Sequence, residues 1–145
     1  MPPEAHLLVV DIKALKTEQL QALSSDQIKA IETGDLAAMT ASQVAAFSST
    51  QIRALSTGQL NALTATELNA LSDTQLQSLS TTQVNALSSS SVAKLKASQV
   101  AALSTAQVAA MTSDQVKSLT VLSVAALSAN QLNAMTTTQV QSLTA

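Results

Sequence analysis

From Lys16 to Leu143 the apolar and polar positions of this chain follow an eight-residue period, written sixteen times without insertion or deletion. Numbering each octad 1 to 8, with octad 1 beginning at Lys16 and octad 16 at Thr136, the motif reads (Ser/Thr)-x-x-Gln-(Val/Leu/Ile)-x-Ala-Leu. Position 5 is always Val, Leu or Ile, and position 8 is always Leu, Ile, Met or Phe. Position 1 is Ser or Thr in thirteen octads, the exceptions being Lys16, Glu32 and Lys96. Position 4 is Gln in twelve, replaced by Asp35, Glu67, Ser91 and Ser123. Position 7 is Ala except at Ser78, Lys94, Ser118 and Ser142. A unit of eight residues cannot bury its own apolar side chains, so the period demands a one-dimensional array in which neighbours supply the core.

Positions 1 and 4 together form a capping box. The hydroxyl at position 1 accepts from the backbone N–H three residues on, and the Gln at position 4 reaches back to the N–H of position 1. The preceding position 8 and the following position 5 then fall at the two places of a hydrophobic staple. A complete helix start every eight residues predicts a new helix in every octad. The expected caps include Ser24 with Gln27, Ser48 with Gln51, Ser56 with Gln59, Ser104 with Gln107, and Thr112 with Gln115. The expected core includes Val44, Phe47, Ile52, Leu55, Val100, Leu103, Val108 and Met111.

One continuous helix fits the period poorly. Eight residues rotate through about 800°, so the apolar pair would advance about 80° around the cylinder in each octad. No continuous apolar stripe would form. Breaking the helix near positions 8 and 1 resets the phase, and each unit can then face the same core. A β-solenoid keeps phase too, but positions 5 and 7 would face one side and the large residue at 8 the other. Ala, Gln, Leu and Asn are also poorer strand formers than Tyr, Thr or Ile. The expected fold is therefore all-α: a single-domain solenoid of very short capped helices, each of about six residues and about 9 Å. Such helices are unstable alone, so their stability must come from packing between neighbours.

Residues 1–15 read as an N-terminal cap or docking segment. They hold both prolines, and Asp11 to Leu15 supply a partial repeat. Residues 16–143 are the array and 144–145 a tail. Hydrophobic residues make up 46% of the 145, yet aromatics only 1%, which suits a thin, repetitively packed core. Seven Lys and Arg are spread thinly and the net charge is −2, so phosphate-backbone binding is not expected. No apolar run approaches the roughly 20 residues that cross a bilayer, and the N-terminus lacks the basic start of a conventional signal peptide. With no cysteine there is neither a disulfide framework nor a Cys-based metal site.

The departures from the motif read as structural. His6 has no second His or Cys near it in sequence to make a metal site. Asp35 and Glu67 replace Gln where a carboxylate also caps and suits the helix dipole. An acid–base pair would need them to meet across four octads. Lys94 at an Ala position is read as carrying its amine to water. Gly34 and Gly58 share an octad position with no phosphate-loop pattern around them.

The string from Ala102 to Met111, Ala-Leu-Ser-Thr-Ala-Gln-Val-Ala-Ala-Met, resembles octapeptide arrays in large bacterial exoproteins of the haem-utilisation/adhesion and RTX-like adhesin kind. The resemblance covers about nine tenths of the chain and implies an extracellular or cell-surface stalk. The Gly- and Asp-rich calcium nonapeptides of RTX proteins are absent, so calcium is not implied. The string is also similar to the first helix of TAL-effector repeats. That family has a longer period, a second helix and basic character, so DNA binding does not carry over.

The expected function is non-enzymatic and cofactor-free: a structural stalk, spacer or scaffold of a bacterial surface or secreted protein. One alternative is a self-assembling filament subunit that pairs with further copies through its ends or sides. Another is a protein-binding solenoid, which would show a departure from the repeat concentrated on one side. None is seen in the sequence read octad by octad. No nucleophile–base constellation stands out for an enzyme, and neither nucleic-acid binding nor membrane insertion is expected.

Overall fold

A computed structural model describes residues 9–143. The expected N-terminal segment up to Leu8, His6 with it, and the tail at 144–145 fall outside the described residues. Among the described residues there are seventeen helices of five to seven residues, one per octad plus one, Val9–Ala14, in the partial repeat.

The helix breaks where the sequence places it, without glycine or proline. In Ser49–Ala54, position 8 leaves the helix as extended backbone (Leu55, φ −62°, ψ 137°). Position 1 continues extended as the next N-cap (Ser56, φ −72°, ψ 164°). Two extended residues turn the chain sharply, and no described residue needs a positive φ. The hydroxyl of position 1 holds the break because it offers the next helix's N–H groups a partner outside the preceding helix. In several octads the regular helix ends one residue earlier, as in Ser25–Lys29, while position 7 keeps near-helical backbone (Ala30, φ −80°, ψ −12°).

Successive bends wind the chain into a spiral in which each helix packs beside the helix three octads on, as Ser25–Lys29 does against Ser49–Ala54. Position 6 amides reach forward to this neighbour. Asn61 Nδ2 donates to the Ala86 carbonyl at 3.0 Å, Gln77 Nε2 to Ala102 at 2.8 Å and Asn85 Nδ2 to Ala110 at 2.8 Å, each 25 residues ahead. Position 4 amides reach back to carbonyls 28 and 31 residues behind. A turn of the spiral therefore takes between 25 and 31 residues, or between three and four octads.

Positions 5 and 8 line the axis. From Ile12 to Met111 every position 5 side chain is buried, and with few exceptions so is every position 8 side chain, Phe47 among them at 2% exposure. The void left along the axis between Leu76 and Met111 is only about 10 Å³, too small for a useful ligand. Each buried Leu or Val contributes about 1.5–3 kcal/mol relative to exposure, which offsets the cost of nucleating so many short helices.

Candidate functional site: a glutamine latch between turns

The expected caps have the following geometry. Ser24 Oγ accepts from Gln27 N–H at 3.2 Å, while Ser24 N–H donates to Gln27 Oε1 at 2.8 Å. The same reciprocal pair joins Ser48 and Gln51, Ser56 and Gln59, Ser104 and Gln107, and Thr112 and Gln115. Lys16 and Lys96 provide no side-chain cap, but their N–H groups still donate to Gln19 and Gln99. The eight expected core residues Val44, Phe47, Ile52, Leu55, Val100, Leu103, Val108 and Met111 are all buried.

Capping uses only half of the Gln side chain. Its amide nitrogen carries two further hydrogens, and in this fold they face the preceding turn. Gln107 Nε2 donates to the carbonyls of Leu76 and Leu79, both at 2.8 Å. Gln115 does the same to Val84 at 2.8 Å and Leu87 at 2.6 Å, and Gln59 to Ile28 at 2.8 Å and Ile31 at 2.7 Å. Every position 4 glutamine from Gln43 to Gln139 latches to the preceding turn, Gln75 through Ala45 and Phe47 and the others through positions 5 and 8. The acceptors sit at the end of a short helix: the position 5 carbonyl already takes the N–H of position 8, as Leu76 takes that of Leu79 at 3.1 Å, and the position 8 carbonyl lies past the last helical turn. One amide thus satisfies a helix start in its own octad and a helix end four octads back. Gln107 is 2% exposed, so both halves act away from water, where an unmade bond is costly.

This double role explains why Gln and not Glu dominates. A carboxylate caps equally well but has no hydrogen to give. Glu67 shows the consequence. Its Oε2 accepts from the Thr64 N–H at 2.7 Å and the Thr64 hydroxyl at 3.0 Å, while Oε1 is buried without a partner. At Ser91 the side chain is too short for either task. Asn61 of the preceding turn supplies the missing acceptor instead, taking the Ser88 N–H at 2.8 Å. Ser123 pairs only within its octad, with Thr120.

The other singled-out residues fall out as follows. Asp35 and Glu67 are both buried, and no hydrogen bond joins them. Lys94 is exposed. A Cβ added at Gly34 meets nothing within 4 Å, and at Gly58 only the Ser56 hydroxyl at 3.9 Å, so neither site requires glycine sterically. Among the described residues no group of three or more His, Cys, Asp or Glu could hold a metal ion. No helix among them is long and apolar enough to cross a membrane.

Octad 14 corrects the reading that no departure is concentrated on one side. Val121, Leu122 and Ser123 replace three consecutive motif positions, and Val121 and Leu122 are 85% and 74% exposed. Val121 borders a cleft of about 370 Å³ lined also by Val116, Leu119, Val124 and Leu143, with Lys117 at its side. The signal was present in the sequence: at positions 2 and 3 every other octad carries only polar residues, Ala or Gly.

Among known proteins, the chain matches the ALTTAQ repeat over residues 28–65, 57–89 and 92–121. The hexad in that name corresponds to positions 7, 8, 1, 2, 3 and 4 of the octad, as in Ala102-Leu103-Ser104-Thr105-Ala106-Gln107, so it spans the helix break and the latch. No curated protein and no solved structure matches the chain. Matched over more than half its length, and with the latch on the residues that define the repeat, the chain belongs to the ALTTAQ repeat family.

Proposed function

We propose that this chain is a non-enzymatic structural array, a stalk, spacer or scaffold whose function is its length and shape. The observation that carries the reading is the latch, repeated on the same atoms in successive turns from Gln43 to Gln139. A device that joins each turn to the one before in the same way yields a body that lengthens by adding octads. Small-angle scattering on chains carrying sixteen and twenty-four octads tests this. The maximum dimension should grow by the same increment for each added turn, and a compact globule in either chain would overturn the reading. Bacterial cell-surface or secreted placement is part of the proposal and rests on the likeness of the octad to exoprotein arrays. Immunogold labelling of intact cells tests it, and signal confined to the cytoplasm would exclude it.

A second reading is a self-assembling subunit. It is favoured by the cleft beside Val121, together with Leu132 and Val140 at 40% and 44% exposure on the last described turn. Those residues occupy position 5, which is buried in every octad up to Val116. Sedimentation across a hundredfold concentration range separates the readings, since a monomer throughout excludes assembly. The exposed Val121–Leu122 pair also suits a protein-binding surface, and a retained partner lost on L122S would favour it.

A further inference from the structure

The four octads that lack the glutamine are not scattered. Asp35, Glu67, Ser91 and Ser123 stand in octads 3, 7, 10 and 14, at successive separations of 32, 24 and 32 residues. A turn takes between 25 and 31 residues, as the forward amide bonds at 25 and the backward ones at 31 bracket it. With 28 residues to a turn, the spacing of the bond from Gln107 to Leu79, each step of 32 overshoots by about a seventh of a turn and the step of 24 falls short by the same. The four departures then lie within about a seventh of a turn of one another, along one side of the spiral.

Two further observations fall on the same side. Among the described residues, the two buried side-chain polar atoms without a hydrogen-bond partner are Glu67 Oε1 and Asn69 Oδ1, both in octad 7. The highly exposed apolar pair, Val121 and Leu122, is in octad 14. The register of the latch sets Glu67 against the carbonyls of Leu36 and Met39, Ser91 against those of Leu60 and Leu63, and Ser123 against those of Val92 and Leu95. None of these six carbonyls receives a side-chain amide.

We infer that this side is a seam, a line of missing latches along which the turns part and the solenoid flexes. On the other sides adjacent turns are tied by buried amide bonds at both helix ends. Along the seam those ties are missing, and core packing and the packed helix neighbours hold the turns, helped at octad 10 by Asn61, whose Oδ1 takes the Ser88 N–H at 2.8 Å. A rod with ties missing on one side bends by opening there, so the array is a spacer with a built-in bending direction. This holds wherever in the cell the array works.

The test compares the full chain with E67Q/S91Q/S123Q, in which the motif residue fills three gaps. Amide hydrogen exchange by NMR reads the N–H groups of Leu68 and Val92 on the seam and of Leu76 and Val108 off it, all of which make the same position 5 to position 1 helical bond. In the natural sequence the seam amides should exchange at least tenfold faster, and in the filled chain the difference should vanish. The absence of cysteine lets a spin-label pair at T33C and T138C report bending, and its distance distribution should narrow on filling. Seam amides within threefold of the others in the natural sequence would overturn the inference, as would an unchanged distance distribution in the filled chain. The first comparison needs no variant, so the proposal stays testable even if the filled chain misfolds.

Discussion

Replacing Gln107 by Glu separates the two tasks of the latch residue. The variant retains an oxygen for the Ser104 N–H, which Gln107 Oε1 now accepts at 2.9 Å, so the helix cap survives. It loses both hydrogens that Nε2 gives to the Leu76 and Leu79 carbonyls at 2.8 Å, and sets an oxygen against them at a site 2% exposed. Two buried bonds lost at about 1 kcal/mol each, plus an acceptor left facing acceptors, predict a destabilisation of about 2–4 kcal/mol. Gln107→Ala also loses the oxygen that accepts from the Ser104 N–H, keeps the Ser104 hydroxyl bond to the backbone N–H of residue 107, and should cost about 3 kcal/mol or more. The control is Gln19→Glu, at an exposed glutamine that caps Lys16 but makes none of the backward bonds; it should stay within about 0.5 kcal/mol. Urea unfolding followed by circular dichroism reads all three, through the midpoint at constant slope. If Gln107→Glu cost no more than Gln19→Glu, the latch would carry no energy and the reasoning would fail.

Other consequences are simpler. Glu67→Gln should raise the unfolding free energy by about 1–3 kcal/mol, because it gives the buried, unpartnered Oε1 position a donor; a drop in the urea midpoint would contradict this. Ser104→Ala, which removes a side-chain cap accepting from Gln107 at 3.1 Å, should cost about 1 kcal/mol, and Ser104→Gly only a few tenths; thermal denaturation can rank them. Leu60→Ala, at a core position 1% exposed, should cost about 2–5 kcal/mol, against 0.5–1.5 for Ile52→Val. V121T/L122S changes exposed residues and should leave stability within about 0.5 kcal/mol while lowering binding of a hydrophobic dye.

The local half of this architecture is legible in the octad because its causes are local. A hydroxyl and an amide three residues apart specify a helix start. The apolar residues at 5 and 8 lie about 60° apart on that helix and specify its buried face. The helices at Ser24–Gln27 and Ser104–Gln107 and the core at Val44 and Met111 follow from those two facts. The winding does not, because nothing within eight residues states how many octads make a turn. Gln107 meets Leu79 across 28 residues of chain, so its second set of bonds cannot be inferred from one octad. The preference for Gln over Glu held the clue, since a carboxylate would have capped as well. For the same reason Asp35, Glu67, Ser91 and Ser123 read as four unrelated exceptions until the length of a turn places them on one side. Octad 14 is a different case. Its Val-Leu-Ser run was plain in the sequence, and comparing positions 2 and 3 down the whole array would have found it.

Glutamine amides join turns 28–31 residues apart along this solenoid, and NMR contacts from those amides test that arrangement most directly. In a uniformly labelled sample the Nε2 hydrogens of Gln107 should show cross-peaks to residues 76–80, and those of Gln115 to residues 84–88, with slowed exchange with water. Cross-peaks confined to residues within four positions of each glutamine, as one continuous helix or an unwound array would give, would contradict it.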